Sequence, residues 1–225
     1  MRRWNGWGDD AIDVALGPEA GAYLAGRLGE GRTPHDASFE AACAQLAPGR
    51  LAPHPLVDAG AQARVLHALG QSLPDWLRLR HGRIGAAPDG VAYPESAEQV
   101  RELLAFAAAN GAAVIPYGGG TSVAGHLGVQ DAARPDLSID MGRLGALVWL
   151  HRGAQLASFE AGVARPDLEA QLRAHGYTLG HFPQSFDYST LGGWVVTRSS
   201  GQQSLRYGRI EGLFAGGRVE TPAGS

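Results

Sequence analysis

The stretch Pro116-Tyr-Gly-Gly-Gly-Thr-Ser-Val-Ala-Gly125 is where the residue types of this chain converge most clearly on chemistry. Three successive glycines let the backbone take left-handed conformations and aim consecutive N–H groups at one point, a concavity suited to an anion. Thr121 and Ser122 add hydroxyl donors, so Pro116, Tyr117, Gly118, Gly119, Gly120, Thr121 and Ser122 form a candidate phosphate cradle. The alternative is a flexible surface turn, which seldom needs three glycines and two hydroxyls directly after a buried strand. A Walker A loop needs Gly-Lys-Ser/Thr, and no lysine stands here or nearby. A Rossmann fingerprint counted from Gly118 would put Val123 where the last glycine belongs. Gly120-Thr-Ser-Val-Ala124 is superficially like a nucleophile elbow, but Ala124-Gly-His-Leu-Gly128 is poor helix material and no histidine and carboxylate follow in the usual chain order.

A second cluster runs from Gly180 to Gly201, dense in hydroxyls, glycines and aromatics without periodicity. Such a run is either an exposed loop or a ligand wall. Ser189-Thr190 can cap a short helix through Trp194, while Arg198 can pair with a phosphate and Ser199 and Ser200 can bond to it or to ring edges. The alternative for Arg198 is a surface carboxylate. His126 and His181 are candidates for a covalent tether and for a residue facing a bound ring, each weighed against a hydrogen-bonded structural histidine. The eight histidines show no metal-binding spacing, and no metal site is expected.

Both clusters need elements to position them. Residues 1–85 read as several short helices, including Glu19–Leu28, Asp36–Leu46 and Asp75–Arg80, with no chemistry of their own. Prolines 53 and 55 forbid helix in Arg50–Pro55, and the glycines and proline between Gly82 and Gly90 mark a boundary, leaving 86–225 as a second domain. There Val91–Tyr93 is extended, and Ser96 with Gln99 forms a capping-box pair. The helix after this pair ends at Asn110-Gly111, and Ala113–Ile115 is a strand running into the glycine loop, completing a β-α-β unit. Ligands of open α/β sheets sit at that carboxyl edge. Leu137–Met141, Ala146–Leu150 and Leu156–Glu160 suggest a meander. Pro166, Leu168, Leu172 and Gly176 mark one more helix.

Composition narrows the classes. The chain has 225 residues, 44% hydrophobic and 18% charged, a globular balance, and its 33 glycines follow no period. A formal net charge of -3 with no basic stripe argues against nucleic acid. Cys43 stands alone, the opening Trp4-Asn-Gly-Trp7 is not a secretion signal, and no apolar run of about eighteen residues occurs. A soluble, cytoplasmic protein is the expectation.

Taken together, Tyr93-Pro-Glu-Ser96, Ile115–Val123, Ala161-Gly162, Gly180-His181, Tyr188-Ser-Thr-Leu-Gly-Gly-Trp194, Thr197-Arg-Ser-Ser-Gly201 and Tyr207-Gly-Arg-Ile-Glu211 resemble the FAD-linked oxidase family, with its vanillyl-alcohol-oxidase-like or PCMH-type FAD-binding domain. With Trp4-Asn-Gly-Trp-Gly8, they are most similar to the branch of alkyldihydroxyacetonephosphate synthase and its bacterial relatives. The resemblance implies an α+β fold: a helical N-terminal region, a β-α-β subdomain and part of a second α+β subdomain. It implies FAD held non-covalently, with Pro116 to Ser122 on the diphosphate. Gln184, Ser185, Tyr188, Ser189 and Thr190 would lie along the flavin, and Thr197, Arg198, Ser199 and Ser200 would complete the cradle. The branch exchanges the acyl group of an acyl-dihydroxyacetone phosphate for an alcohol, and wider relatives oxidise alcohols or hydroxy acids. Partners implied are FAD, a small-molecule or lipid-like substrate in the full-length parent, and an oligomer as one option.

Two departures matter. Where the synthases have His-Glu-Pro-Asp-Ser, this chain reads His181-Phe-Pro-Gln-Ser185, losing two carboxylates. The family's later flavin segment and cap domain have no counterpart before Ser225, so the FAD-binding domain is expected to be incomplete and truncated, and no catalytic residue carries over. The alternative reading is a non-catalytic remnant that binds FAD weakly or not at all.

Overall fold

The computed structural model describes residues 2–32, 35–131 and 133–225. Its main sheet has four strands, β1 (Val57–Asp58), β2 (Gly90–Ala92), β3 (Ala113–Tyr117) and β4 (Asp136–Asp140), in the order β1-β2-β4-β3. The first four residues of β4 are all buried, as the central strand of a covered sheet requires. It pairs in parallel with β2, Val91 opposite Ser138, and with β3, Tyr117 opposite Asp140. The two strands of the expected β-α-β unit, β2 and β3, thus flank β4. The expected meander is also corrected. β4 belongs to this sheet, and only β5 (Leu147–His151) and β6 (Leu156–Phe159) pair as an antiparallel two-stranded sheet. Burial separates them, because β5 is exposed at three of its five positions whereas β4 is buried at four of its five.

Before β2 come α1 (Pro18–Leu28), α2 (Phe39–Cys43), α3 (Ala61–Leu66) and α4 (Leu73–Arg80). The helix expected over Asp36–Leu46 is shorter because Ser38 caps it, its hydroxyl accepting from the Ala41 N–H at 3.1 Å. β1, which precedes residue 85, joins the sheet antiparallel to β2. Arg50 reinforces that junction with two 2.8 Å contacts to the Asp89 carboxylate.

Helix α5 (Ala97–Ala109) starts at Ser96, whose hydroxyl accepts from the Gln99 N–H. The capping box is only half formed, since the Gln99 side chain accepts from Glu95 rather than from Ser96. Leu103 and Ala107 of α5 pack on Ala92, Leu137 and Ile139 of the sheet. Each leucine buried there contributes roughly 1.5–3 kcal/mol. After β6 come α6 (Arg165–Arg173), α7 (Leu191–Thr197), α8 (Ser204–Tyr207) and α9 (Ile210–Leu213). Leu168, Leu172, Trp194 and Ile210 close a separate core. Among the described residues no helix is long and apolar enough to cross a membrane.

Candidate functional site

β3 ends at Tyr117, and the chain passes directly into Gly118-Gly-Gly-Thr-Ser122 at the carboxyl edge of the sheet. Tyr117 is buried, and burial pushes its phenol up to about 12, so the group remains an O–H donor, bonded to the Leu66 carbonyl at 3.3 Å. Gly120 turns the backbone with φ of 64°. Gly119 lies flat on the second cluster: a Cβ there would overlap the Tyr188 carbonyl and stand 3.1 Å from the Ser189 Cα. A Cβ on Gly118 would meet the Thr190 side chain. The two clusters that look separate in sequence therefore form one continuous wall.

The loop is also a donor surface. Among the described residues, no protein acceptor receives a hydrogen bond from the amides of Gly119, Gly120, Thr121 or Ser122. A run of backbone N–H groups without protein partners at the mouth of a parallel sheet fits a diphosphate. Pro116 is exposed on β3, whose position at the sheet edge tolerates a residue with no N–H. The Ser122 hydroxyl accepts from the Ala124 N–H and lies 3.1 Å from Nδ1 of the exposed His126.

The second cluster divides into parts. The Ser185 carbonyl accepts from the amides of Tyr188 and Ser189 and from the Ser189 hydroxyl, folding 185–189 into a tight turn. Ser189 is buried and also accepts from the Trp194 indole at 2.8 Å, so its hydroxyl is engaged by protein. Tyr188 meets the Trp7 ring edge-on at 5.1 Å and the Arg2 guanidinium at 5.0 Å, a cover from the N-terminus that the sequence did not announce. Thr190 precedes α7, but its side chain makes no capping bond, and the helix continues past Trp194 to Thr197. The Thr197 hydroxyl donates to the Gly193 carbonyl.

Arg198 takes a left-handed conformation with φ of 53° and pairs with Glu211 at 3.3 Å, the surface-carboxylate alternative. Ser200 and Gln184 are exposed, and Ser199 faces Nε2 of His181 at 3.2 Å. Thr197 to Ser200 thus sit at the far end of α7, about 10 Å along the axis from Thr190. Among the described residues the structure joins Gly118 and Gly119 to 188–190 and gives no comparable contact between the loop and 197–200.

His181 is buried against Trp194, with ring centroids 5.2 Å apart. Its backbone carbonyl accepts from Nε of Arg165, a fully buried cation whose guanidinium carbon lies 3.7 Å from the ring centroids of both Phe182 and Phe186. Sequence reasoning missed Arg165, because a buried arginine looks like a surface one when read one residue at a time. Burial, aided by the Arg165 charge, holds the His181 ring below its ordinary proton affinity. The unfolded chain takes up that proton near pH 6.5 and the folded chain does not, so acidification below this point favours unfolding. The melting temperature should therefore fall between about pH 7.5 and about pH 5.5, and fall less in His181→Gln. Equal falls in both proteins would assign the acid sensitivity elsewhere.

Residues 88–225 match the model of the FAD binding domain family; the chain belongs to that family, and FAD is its cofactor. Among relatives, the chain is 41% identical over 163 residues to an alkyldihydroxyacetonephosphate synthase of Dictyostelium discoideum, covering 72% of this chain and 27% of that protein. It is 39% identical over 168 residues to the enzyme of that name from Trypanosoma brucei brucei, covering 73% and 27%. A solved structure of alkyldihydroxyacetonephosphate synthase superposes with a TM-score of 0.88 at 31% identity, covering 99% of this chain and 48% of the other. The fold is accordingly the α+β, PCMH-type FAD-binding fold of that synthase. The chain spans about a quarter of the length of the curated relatives it matches.

Proposed function

We propose that residues 86–225 are the FAD-binding portion of a flavoenzyme of the alkyldihydroxyacetonephosphate synthase-like branch, with the loop from Pro116 to Ser122 on the cofactor's diphosphate. The observation that carries this reading is the row of amides without protein partners, 119–122, on a loop whose glycines fit against Tyr188 to Thr190. Gln184, Ser185 and Tyr188 then border the flavin. Ser189 and Thr190 act mainly by shaping the wall, since Ser189 is bonded internally and Thr190 packs on Gly118. Ser199 and Ser200 lie beyond the far end of α7, with Arg198 as a cation released from Glu211 when a phosphate binds.

When bound, FAD supplies two-electron or N5-centred chemistry, and the protein supplies orientation and charge. The parent's substrate is a small molecule or lipid-like compound bearing an alcohol or a hydroxy acid. Titration of the chain with FAD should give saturable quenching of flavin fluorescence and a protein-bound flavin absorbance. Bleaching by alcohols or 2-hydroxy acids would then report turnover. A chain that stays colourless after incubation with excess FAD would overturn the proposal.

A further inference from the structure

The N-terminal region, read from sequence as having no chemistry, grips the loop that the proposed function assigns to the diphosphate, and the significance of this grip for the cofactor rests on that reading. One turn between α3 and α4, residues 66–71, touches both ends of the loop. At the start, the Leu66 carbonyl accepts from the Tyr117 hydroxyl at 3.3 Å, and the His67 ring packs on the Tyr117 ring with centroids 4.3 Å apart. At the finish, the Gln71 N–H donates to the Ser122 carbonyl at 2.6 Å. Gly70 lies so close that a Cβ would overlap that same carbonyl oxygen and sit 3.3 Å from its carbon. His67 also anchors the turn to the neighbouring strand end, Nε2 lying 2.9 Å from the Asp140 carboxylate and Nδ1 2.7 Å from the Ala63 carbonyl.

These contacts have a specific geometric result. The Ser122 carbonyl is the last acceptor of the loop, and holding it on the Gln71 N–H fixes the exit of the segment whose amides, 119–122, have no protein acceptor among the described residues. A five-residue loop fixed at both ends by one rigid piece retains few alternative shapes, so its amides are arranged before a ligand arrives. The ordering cost that a glycine-rich loop would otherwise bring to binding is largely met in the folded protein.

We infer that the α3–α4 turn is a positioning element for the cofactor loop, with Gly70 and the Gln71 amide as its positioning residues. They lie outside residues 88–225, which match the family model. Gln71→Ala removes a side chain that accepts from the Trp76 indole and keeps the amide, whereas Gln71→Pro also removes the donor to Ser122.

The test measures FAD affinity by fluorescence quenching, and ADP affinity by competition, in the full chain and in Gly70→Ala, Gln71→Pro and Gln71→Ala. Ser38→Ala, which removes the cap of α2 elsewhere in the same region, serves as a control for plain destabilisation. Gly70→Ala and Gln71→Pro are expected to weaken both ligands about tenfold, because ADP shares the diphosphate. Gln71→Ala and Ser38→Ala should stay within about twofold of the parent, although Ser38→Ala melts earlier. If Gly70→Ala does not fold, the pair at Gln71 decides alone. Parent-like affinity in Gln71→Pro, or an equal loss in Ser38→Ala, overturns the inference. A parent chain that binds no FAD overturns the functional reading first, so the two failures are distinguishable.

Discussion

Gly119→Ala should lower the melting temperature by about 10 °C and abolish measurable FAD uptake. The methyl group would occupy the space of the Tyr188 carbonyl, and backbone cannot swing aside as a side chain can. Either the loop lifts off the second cluster or the 185–189 turn opens, and the turn is tied by three bonds to the Ser185 carbonyl. A cost of about 3 kcal/mol is typical when a well-packed backbone contact is forced apart. Gly212→Ala provides the contrast, since a Cβ there meets nothing and lies in α9. It should change stability by no more than about 0.5 kcal/mol. Thermal melts and flavin titration on both variants check the pair, and a Gly119→Ala protein that melts and binds like the parent would refute the close packing of the two clusters.

Arg165→Ala is expected to cost about 3–5 kcal/mol, measured by urea unfolding. The side chain is fully buried, fills the space between two nearly parallel phenylalanine rings 6.2 Å apart, and ties down the His181 carbonyl. Its removal leaves a void and strips the buried Glu169 of an ion pair at 3.5 Å, leaving Thr178, Leu179 and the more distant Arg173 as partners. Arg165→Met with Glu169→Gln keeps the volume and deletes both charges, so the double variant should recover more than half of the loss. Additive losses in the double variant would show that the charges are not coupled. Loosening this layer also frees Phe182 to Phe186, the segment that presents Gln184 beside the proposed flavin position.

Elements with strong local signals were legible in the sequence. Ser96 capping α5, Pro166 opening α6 and the apolar run that becomes β3 each carry their instruction within a few residues. The glycine loop and the Tyr188 segment were likewise legible as residue types, and the resemblance linked them to one cofactor. What escaped was pairing over distance. β4 reads like its neighbours in the expected meander until the burial of its first four residues is seen, and β1 is two residues long. Gly70 looks like an ordinary break before a capped helix, because its meaning lies in the Ser122 carbonyl rather than in its own surroundings. The same holds for Arg198, whose observed partner Glu211 could not be told from a phosphate by spacing alone.

The wall formed by residues 66–71, 118–122 and 188–190 also constrains the order in which the molecule can assemble. Its three pieces are separated by about fifty and about seventy residues, so closing it requires long excursions of chain to be brought together first. During synthesis the loop leaves the ribosome with the α3–α4 turn already made, but with the segment that its glycines fit still to be translated. Until Tyr188 emerges, the loop has one of its two supports, so under the proposed function flavin capture waits for the synthesis of Tyr188.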